Sequence, residues 1–257
     1  MKNPNHSKLN EIQQGDCLEL MAALDEGTVD LLLTDPPYNV SMKSGFHTMG
    51  RKGVDFGEWD KEFDQRGWLE IACSKVRKGG SVVIFNDYKN IGLMTDVLQA
   101  NGFIVKELLI WKKPNPMPRN RDRLYVTSIE VALWAVKGKG WTFNRQKKTY
   151  ENAIFESASV GYRKRIHPTQ KPEKIIKEIL AIHSNEGDII LDCFMGSGTT
   201  ALAALDMNRY YIGMEIDEEY CKVARQRVNE WERSQKPIEN RVSRKGEHPT
   251  GAIREDN

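Results

Sequence analysis

The sequence contains only four cysteines in 257 residues, and their positions exclude several kinds of site. No two of them form a Cys-x-x-Cys pair, and none has a nearby histidine at the spacing of metal ligands. This pattern argues against a zinc site and against a disulfide framework, so no metal is expected and a reducing compartment fits. The cysteines are Cys17, Cys73, Cys193 and Cys221.

Long apolar runs are absent as well. No stretch approaches the roughly 18 apolar residues of a membrane-spanning helix, and the opening residues Met-Lys-Asn-Pro-Asn-His lack the apolar segment of a secretory signal. We therefore expect a cytoplasmic protein that is neither secreted nor inserted in a membrane. The sequence has no internal repeat, and its 257 residues suffice for one large α/β domain with a full core.

A strong net charge is also missing, since the formal net charge at pH 7 is only +2. Its distribution is more informative. Residues 112–167 hold thirteen lysines and arginines against four acidic residues, so the rest of the chain is net acidic. A basic segment of this kind is typical of a protein that binds a phosphate backbone, although a solvated charged surface would show the same pattern.

Segments of strand and helix character alternate along the chain, which favours a mostly parallel sheet with helices on both faces. Strands are predicted at 11–15, 29–34, 81–86, 103–111, 129–136, 189–192 and 210–215. Helices are predicted at 17–24, 68–76, 91–100, 199–205 and 218–231, and another should begin with Pro172 at its first position. Gly79 and Gly80 are expected to separate a helix from the strand after it. Residues 39–64 form a long loop, and loops of that length are usually functional or mobile.

A glycine-rich turn at residues 192–201 follows one of the predicted buried strands. Gly196, Gly198 and Ala201 match the pattern G-x-G-x-x-A, in which glycines let the backbone turn sharply and approach a ligand. Glu215 ends the next strand, nineteen residues after Gly196, where it can accept hydrogen bonds from ribose hydroxyls. The pattern suits S-adenosylmethionine (SAM) and NAD equally, because both contain adenosine. No P-loop sequence is present, which excludes a P-loop nucleotidase.

The Asp-Pro-Pro-Tyr sequence of residues 35–38 is chemically more specific. The exocyclic amine of adenine or cytosine is a poor nucleophile, because its lone pair is delocalised into the ring. Asp35 and the carbonyl of Pro36 can both accept its N–H bonds and draw the nitrogen toward a tetrahedral, nucleophilic state. Tyr38 offers a flat face on which an extruded base can stack. The structural alternative is a strand-ending turn with a capping Asp and a core Tyr.

On these motifs the chain resembles the amino-methyltransferases of DNA, in the group whose catalytic motif precedes the cofactor motif (the β-class). The resemblance covers roughly residues 10–231. It also rests on five shorter segments, at residues 15–19, 58–60, 111–116, 167–172 and 211–215. The family usually has proline where Cys193 stands, and a small buried apolar residue should fit there.

The resemblance implies a Rossmann-like fold for SAM-dependent methyl transfer, with a seven-stranded, mostly parallel sheet whose last strand is antiparallel. We expect residues 1–234 to form a single catalytic domain, in which residues 139–166 are a short target-recognition insert. The polar composition beyond Ser234 predicts a flexible tail at residues 235–257. The loop at 41–61 is expected to share in reading the DNA sequence.

The resemblance and the motifs together give three sets of predicted site residues. The catalytic set is Asp35, Pro36 and Tyr38. The cofactor-binding set, for SAM, is Asp16, Thr169, Lys171, Asp192, Phe194, Gly196, Ser197, Gly198, Thr199 and Glu215. The predicted DNA contacts are Lys112, Arg119, Lys139, Arg145, Lys147, Arg163 and Arg165. The expected partners are DNA and, because relatives are often dimeric, a second copy of the chain.

The leading hypothesis is a site-specific methyltransferase that flips adenine out of DNA and methylates its N6 amine. The first alternative is the N4 amine of cytosine, although the family's cytosine enzymes more often carry serine where Asp35 stands. An NAD-dependent oxidoreductase would leave residues 35–38 unexplained, and a non-catalytic DNA binder would leave an intact motif idle. No cysteine follows a proline, which argues against methylation of cytosine C5. The recognition sequence and a restriction partner stay open.

Overall fold

The computed structural model describes residues 8–39, 63–161, 166–167 and 170–235. Several predictions lie outside these residues: the loop at 41–61, the cofactor role of Thr169, and the DNA contacts of Arg163 and Arg165. The predicted tail also lies outside them, except for Gln235 at the end of the last helix.

Within the described residues, eight strands form one sheet: Glu11–Gln14 (β1), Val29–Thr34 (β2), Val76–Asn86 (β3), Phe103–Lys112 (β4), Ile129–Lys137 (β5), Ile154–Glu156 (β6), Ile189–Asp192 (β7) and Tyr210–Glu215 (β8). Their order across the sheet is β1-β8-β7-β2-β3-β5-β4-β6. β5 is antiparallel to its neighbours β3 and β4, and the other neighbouring pairs are parallel.

The mostly parallel sheet with one antiparallel strand is confirmed, with two differences from the expected layout. The antiparallel strand is β5, in the middle of the chain and not last. It returns beside β4 with Lys112 paired to Ile129, and such a hairpin return makes the two strands antiparallel. The sheet also has one strand more than expected, β6, which adds three residues to its edge. β6 is too short to show an alternating pattern in the sequence.

Gly79 and Gly80 do not separate a helix from a strand, as the sequence suggested. β3 begins at Val76 and continues through both glycines, and its pairing with β2 shifts register at this point. Gly79 has a φ of +77°, and a Cβ on Gly80 would lie 2.9 Å from the carbonyl oxygen of Asp30. The pair is therefore a bulge that only glycine can form at this distance from β2.

In the parts of the chain that the structure describes, six α-helices cover the two faces of the sheet: Cys17–Ala22 (α1), Gln65–Lys75 (α2), Ile91–Ala100 (α3), Glu173–His183 (α4), Thr199–Asp206 (α5) and Glu218–Gln235 (α6). One apolar core contains side chains from α1, α2 and α3, and the other contains side chains from α4, α5 and α6. Pro172 caps α4 instead of occupying its first position. Within the described residues, no helix is both long and apolar enough to cross a membrane.

β2 shows how one strand serves both cores. Leu31 and Leu33 pack in the core beside α4, α5 and α6, whereas Leu32 packs beside α1, α2 and α3. Successive side chains of a strand point to opposite faces, so burial of both faces produces an unbroken apolar run. This central position explains the sequence that precedes Asp35, and it holds the start of residues 35–38 on a rigid element.

Candidate active site

The predicted catalytic and cofactor motifs lie at the same edge of the sheet. β2, β7 and β8 are parallel neighbours, so their carboxyl ends meet at one edge. Asp35 follows the end of β2, Asp192 ends β7 and Glu215 ends β8. Asp16 follows β1, which pairs with β8 in the same direction. Residues that are far apart in the sequence therefore surround one region.

A cavity of about 340 Å³ opens at this edge. Asp16, Phe194 and Glu215 line one part of it, and Asp35 and Lys171 line another. The cavity thus presents carboxylates that can accept from ribose hydroxyls beside the carboxylate of the predicted catalytic motif. Its size and mixed lining suit an adenosine-containing ligand together with a small reacting group.

The glycine-rich turn owes its shape to backbone conformations that favour glycine. Gly196 has a φ of +52° and Gly198 a φ of +83°, both in the left-handed region. A Cβ on Gly198 would lie 3.0 Å from the Cβ of Ala224 on α6, so this residue shapes the turn from behind. Ser197 and Thr199 line the cavity instead.

Glu215 both lines the cavity and organises the turn. Its Oε2 accepts a hydrogen bond of 2.7 Å from the backbone N–H of Gly196, and its Oε1 accepts one of 2.9 Å from Asp217. Burial raises the pKa of this carboxyl above its ordinary value. Each oxygen keeps a second lone pair, which leaves the group able to accept from a ligand.

Asp192 ties the two motifs together. Its Oδ1 accepts hydrogen bonds from the Thr34 hydroxyl, at 2.7 Å, and from the Phe194 backbone, at 3.1 Å. Burial raises the pKa of its carboxyl to about 6. Asp192 borders the cavity, and its observed contacts join the end of β2 to the turn after β7.

The adenine end of the predicted cofactor site is built from α1 and an aromatic group. Asp16 caps α1 by accepting from the Leu18 backbone at 2.7 Å. Phe194 packs edge-on against Phe63 and Trp68, with ring centroids 5.3 Å and 5.2 Å apart. These contacts hold an acid and a flat apolar side chain at the lining of one cavity, where they suit a purine and its ribose.

Cys193, which replaces the family's usual proline, is buried, with 2% of its surface exposed. Its sulfur lies 3.5 Å from the sulfur of Met21 on α1. Burial raises the pKa of the thiol well above its ordinary value, so the group stays protonated. These contacts agree with the prediction of a small apolar residue at this position.

A network of side-chain amides holds residues 35–38. Gln65 on α2 donates to the carbonyl of Pro37, and Asn90 donates to the carbonyl of Tyr38 at 3.0 Å. Asn86, at the end of β3, links the two amides through hydrogen bonds of 2.8 Å each. The network uses the carbonyls of Pro37 and Tyr38, and that of Pro36 is outside it, as its predicted role requires.

Asp35 sits between a hydroxyl and an ammonium group. The Tyr38 hydroxyl donates to Oδ1, and the Lys171 ammonium donates to Oδ2. The Tyr38 ring packs against the core beside α4, α5 and α6. Its predicted stacking on a base remains a prediction.

Lys171 was assigned to the cofactor site from the sequence, and that role stays a prediction. It borders the cavity, but its ammonium contacts Asp35 and lies 3.2 Å from the Oε2 of Glu130 on β5. Glu130 in turn pairs with Lys113, which follows β4. Asp35, Lys171, Glu130 and Lys113 thus form a line of alternating charge.

The pKa values in this line reflect burial opposed by neighbouring charges. Burial raises the pKa of Asp35 above its ordinary value, although the Lys171 ammonium counteracts it. Burial acts in the same direction on Glu130, but Lys171 and Lys113 outweigh it and lower the pKa of this carboxyl. Burial disfavours the ammonium of Lys171, and Asp35 with Glu130 outweighs it and raises the pKa of the lysine.

Sequence reasoning missed Glu130 and the amide network. Their positions at strand ends could have indicated a site, because Asn86 is the last residue of a predicted strand and Glu130 is the second residue of another. Glu130 was counted only as one of four acids in the basic segment. β5 runs antiparallel to β3, so its first residues lie at this edge and bring Glu130 to Lys171. This direction is set by the tertiary fold and cannot be read from the local sequence.

The structure divides the predicted DNA contacts between two edges of the sheet. Lys112 ends β4 at the edge that holds Asp35, and Arg119 lies in the loop that follows. Lys139 lies at the opposite edge, where its carbonyl oxygen is 3.2 Å from a Cβ built on Gly79. Arg145 is also distant from the cavity, since the neighbouring Asn144 bonds to the end of α4. Lys139 and Arg145 therefore lie away from the cavity, and their predicted contact with DNA stays a prediction.

The expected insert at 139–166 is largely attached to the domain. Phe143 stacks on Trp134 of β5, with centroids 5.4 Å apart, and His183 of α4 lies 4.7 Å from the same ring. The backbone N–H of Lys147 donates to Glu151 at 2.7 Å in a local turn. The described part of the segment therefore packs along α4, where its side chains contact aromatic rings and donate to backbone carbonyls.

Comparison with known proteins assigns the family. The N6_N4_Mtase family model, described as DNA methylase, matches residues 29–226. The chain belongs to this DNA methylase family. The methylase is 30% identical over 238 residues to the type II methyltransferase M2.MboI of Moraxella bovis, covering 85% of this chain and 87% of the relative. It is also 30% identical over 253 residues to M2.LlaDCHI of Lactococcus lactis subsp. cremoris, covering 89% and 93%.

Solved structures agree with this assignment. The crystal structure of the M1.HpyAVI–SAM complex has a TM-score of 0.70 and 37% identity, over 85% of the methylase and 98% of that chain. The cytosine-N4-specific PvuII methyltransferase has a TM-score of 0.67 at 19% identity, over 84% and 85%, and supports the fold alone. The resemblance to DNA amino-methyltransferases and the Rossmann-like methyltransferase fold are confirmed, and the oxidoreductase alternative is set aside.

Proposed function

We propose that the methylase transfers a methyl group from SAM to the N6 amine of an adenine flipped out of DNA. The observation that carries the proposal is the shared cavity, in which Asp35 faces the same space as Glu215 and the glycine-rich turn. Asp35, the predicted acceptor for the amine, and Glu215, the predicted acceptor for the ribose, must share one cavity, because the methyl group moves from SAM to the amine in a single displacement.

SAM is the cofactor that suits the cavity. Asp16 and Glu215 supply acceptors for adenosine hydroxyls, and Phe194 supplies an apolar face. M1.HpyAVI, which shares 37% of its residues with the methylase, has been solved with SAM bound. When bound, SAM supplies an electrophilic methyl group on a sulfonium sulfur.

The residues of the motif then orient the amine. Each oxygen of Asp35 keeps a lone pair beyond its bond to Tyr38 or Lys171, so the carboxylate can accept one amine N–H. The Pro36 carbonyl can accept the other. The carboxylate also stabilises the positive charge that develops on the nitrogen, and afterwards it is the nearest acceptor for the proton that the nitrogen loses.

The choice of adenine over cytosine rests on Asp35. The chemistry of the two amines is the same, and the family's cytosine enzymes more often carry serine at this position. The similarity to the cytosine-specific PvuII enzyme, at 19% identity, does not indicate which base the methylase modifies. Cytosine N4 is therefore the alternative target.

Mass spectrometry of nucleosides tests the target base. Unmethylated DNA is incubated with the methylase and SAM, hydrolysed and analysed, with Asp35→Ala as the blank. We expect N6-methyladenine above the blank on duplex DNA. N4-methylcytosine would keep the mechanism and overturn the base, and neither product on duplex or single strands would overturn the proposed activity.

We place the DNA-binding surface mainly on the β4–β5 loop, residues 113–128. The loop leaves and re-enters the sheet at the edge that holds Asp35. Arg121 and Arg123 are exposed there, together with Tyr125, whose surface is 96% exposed. Arginines bind phosphates and an exposed ring can stack on a base, so the loop offers both kinds of contact beside the cavity.

Two double variants test this surface. Arg121→Ala with Arg123→Ala should weaken duplex binding and reduce the slope of log affinity against log salt by about 2. The slope falls because the loss of two phosphate contacts lowers the number of counterions that binding releases. Lys139→Ala with Arg145→Ala, at the opposite edge, should leave the slope unchanged. Fluorescence anisotropy over a salt series measures both. A reduced slope in the second pair alone would restore the sequence-based assignment.

The remaining expectations belong to the same proposal. A homodimer and a cytoplasmic location stay predictions, as do DNA contacts from Lys112, Arg119 and Lys147. Sedimentation of the methylase with and without duplex DNA would measure its oligomeric state.

A further inference from the structure

The Lys171 ammonium is surrounded by three oxygens. It contacts Oδ2 of Asp35, lies 3.2 Å from Oε2 of Glu130 and lies 3.5 Å from the hydroxyl of Tyr38. Only 7% of the side chain is exposed. A lysine has three N–H donors, and these three oxygens engage them, so no donor is left over for the carboxylate of a cofactor.

Glu130 is itself fixed on both sides. Its Oε2 faces Lys171 and its Oε1 accepts from Lys113, so each oxygen has its own ammonium partner. The side chain is 27% exposed, and that of Lys113 is 13% exposed. Glu130 is therefore an anchor that determines where the Lys171 ammonium sits relative to Asp35.

We propose that Lys171 is a positioning residue for methyl transfer: anchored by Glu130, its ammonium keeps the Asp35 carboxylate charged and aims it at the cavity where the target amine docks. The proposal rests on the proposed function and deepens it. Without Lys171, Asp35 would be a largely buried carboxylate, since only 18% of its side chain is exposed, with no partner of opposite charge at its Oδ2. A partner charge there offsets the cost of keeping it ionised.

The anchor also balances the charge near the reacting nitrogen. A lone ammonium beside an amine that becomes positive would oppose the reaction. Asp35, Lys171, Glu130 and Lys113 together carry no net charge, and Asp35, the member expected to hold the amine, is negative, which favours the developing positive charge. Glu130 thus allows Lys171 to hold Asp35 without acting against the transition state.

Lys171→Met removes the charge and keeps much of the apolar volume. At neutral pH we expect the rate of transfer at saturating SAM and DNA to fall by about tenfold to a hundredfold, with SAM affinity within about threefold of the wild type. The acid limb of the pH–rate profile should move upward by about one pH unit or more, because Asp35 loses its counter-charge. Activity should recover in part at pH 9, and Lys171→Arg should restore part of the rate at neutral pH.

Glu130→Gln should shift the acid limb of the pH–rate profile in the opposite direction. It removes a negative charge near Asp35, so the acid limb should move downward while the rate falls because Lys171 loses its anchor. Lys174→Met, on the exposed side of α4, is the control and should leave the rate and the profile unchanged. General destabilisation cannot produce shifts of opposite sign, and thermal unfolding of each variant checks folding directly.

A readout without methyl transfer separates this proposal from the proposed function. The pH titration of a ¹³C-labelled Asp35 carboxyl, followed by NMR in the protein alone, should show a higher midpoint in Lys171→Met and a lower one in Glu130→Gln. Unchanged midpoints would overturn the proposal, even if the wild type methylates DNA. A large loss of SAM affinity in Lys171→Met with an unshifted profile would also overturn it, and would return Lys171 to the cofactor site. Shifted midpoints in a protein that methylates no DNA would support the positioning role and count against the activity alone.

Discussion

Replacement of Asp35 by alanine is expected to reduce methyl transfer about a thousandfold or more while SAM affinity changes by less than about threefold. The carboxylate is the group that accepts the amine N–H and stabilises the positive charge on the nitrogen, so its loss acts on the transition state. Its contacts in the structure run to Tyr38 and Lys171, and Glu215 and the turn are on the other side of the cavity.

The two quantities are measured separately. Transfer of a labelled methyl group is followed at saturating DNA and SAM, and SAM binding is followed by calorimetry. Asp96→Ala, at an exposed position on α3, is the matched control and should behave as the wild type. An equal loss of binding and transfer in Asp35→Ala would mean that Asp35 belongs to the cofactor pocket and not to the amine site.

Replacement of Glu215 by alanine should produce the converse result. A hydrogen bond to a charged group contributes about 1.5–3 kcal/mol, and two ribose hydroxyls can bond to this carboxylate, so SAM affinity should fall by about a hundredfold or more. The turn should also loosen, because the N–H of Gly196 loses its acceptor. Transfer at saturating SAM should fall much less than affinity does.

Glu215→Gln refines this test. Glutamine keeps one oxygen that can accept from Gly196 but has no charge, so its SAM affinity should lie between that of the wild type and that of Glu215→Ala. Glu219→Ala is the control, since Glu219 does not line the cavity and its side chain is 80% exposed. SAM binding by Glu215→Ala at wild-type strength would remove Glu215 from the ribose site.

Local pattern was sufficient for most of the elements. β2, α3, β7 and β8 all have the predicted bounds, because each is an apolar run or a helical stripe with a clear end. The pattern failed where a tertiary contact overrides it. Gly79 and Gly80 signal a break in the sequence, yet they form a bulge because β2 passes close to them.

The candidate site followed the same division. The acids that end β2, β7 and β8 could be predicted, because carboxyl ends of parallel strands meet at one edge. The role of Lys171 could not, because it is 136 residues from Asp35 and its partner Glu130 arrives on an antiparallel strand. Charge counting over 112–167 joined basic residues that the fold sends to opposite edges of the sheet.

The sequence by itself determined the chemistry of this protein: an amine-holding motif after one buried strand, a glycine-rich turn after another, and a carboxylate after the next. Each is encoded in a few consecutive residues, whose types and backbone freedom do not depend on the rest of the chain. The tertiary structure decided which charges meet. The cavity shared by Asp35 and Glu215, the pairing of Lys171 with Glu130 and the exposure of the β4–β5 loop depend on strand order and direction. Those features arise from packing between distant segments, which no local pattern specifies.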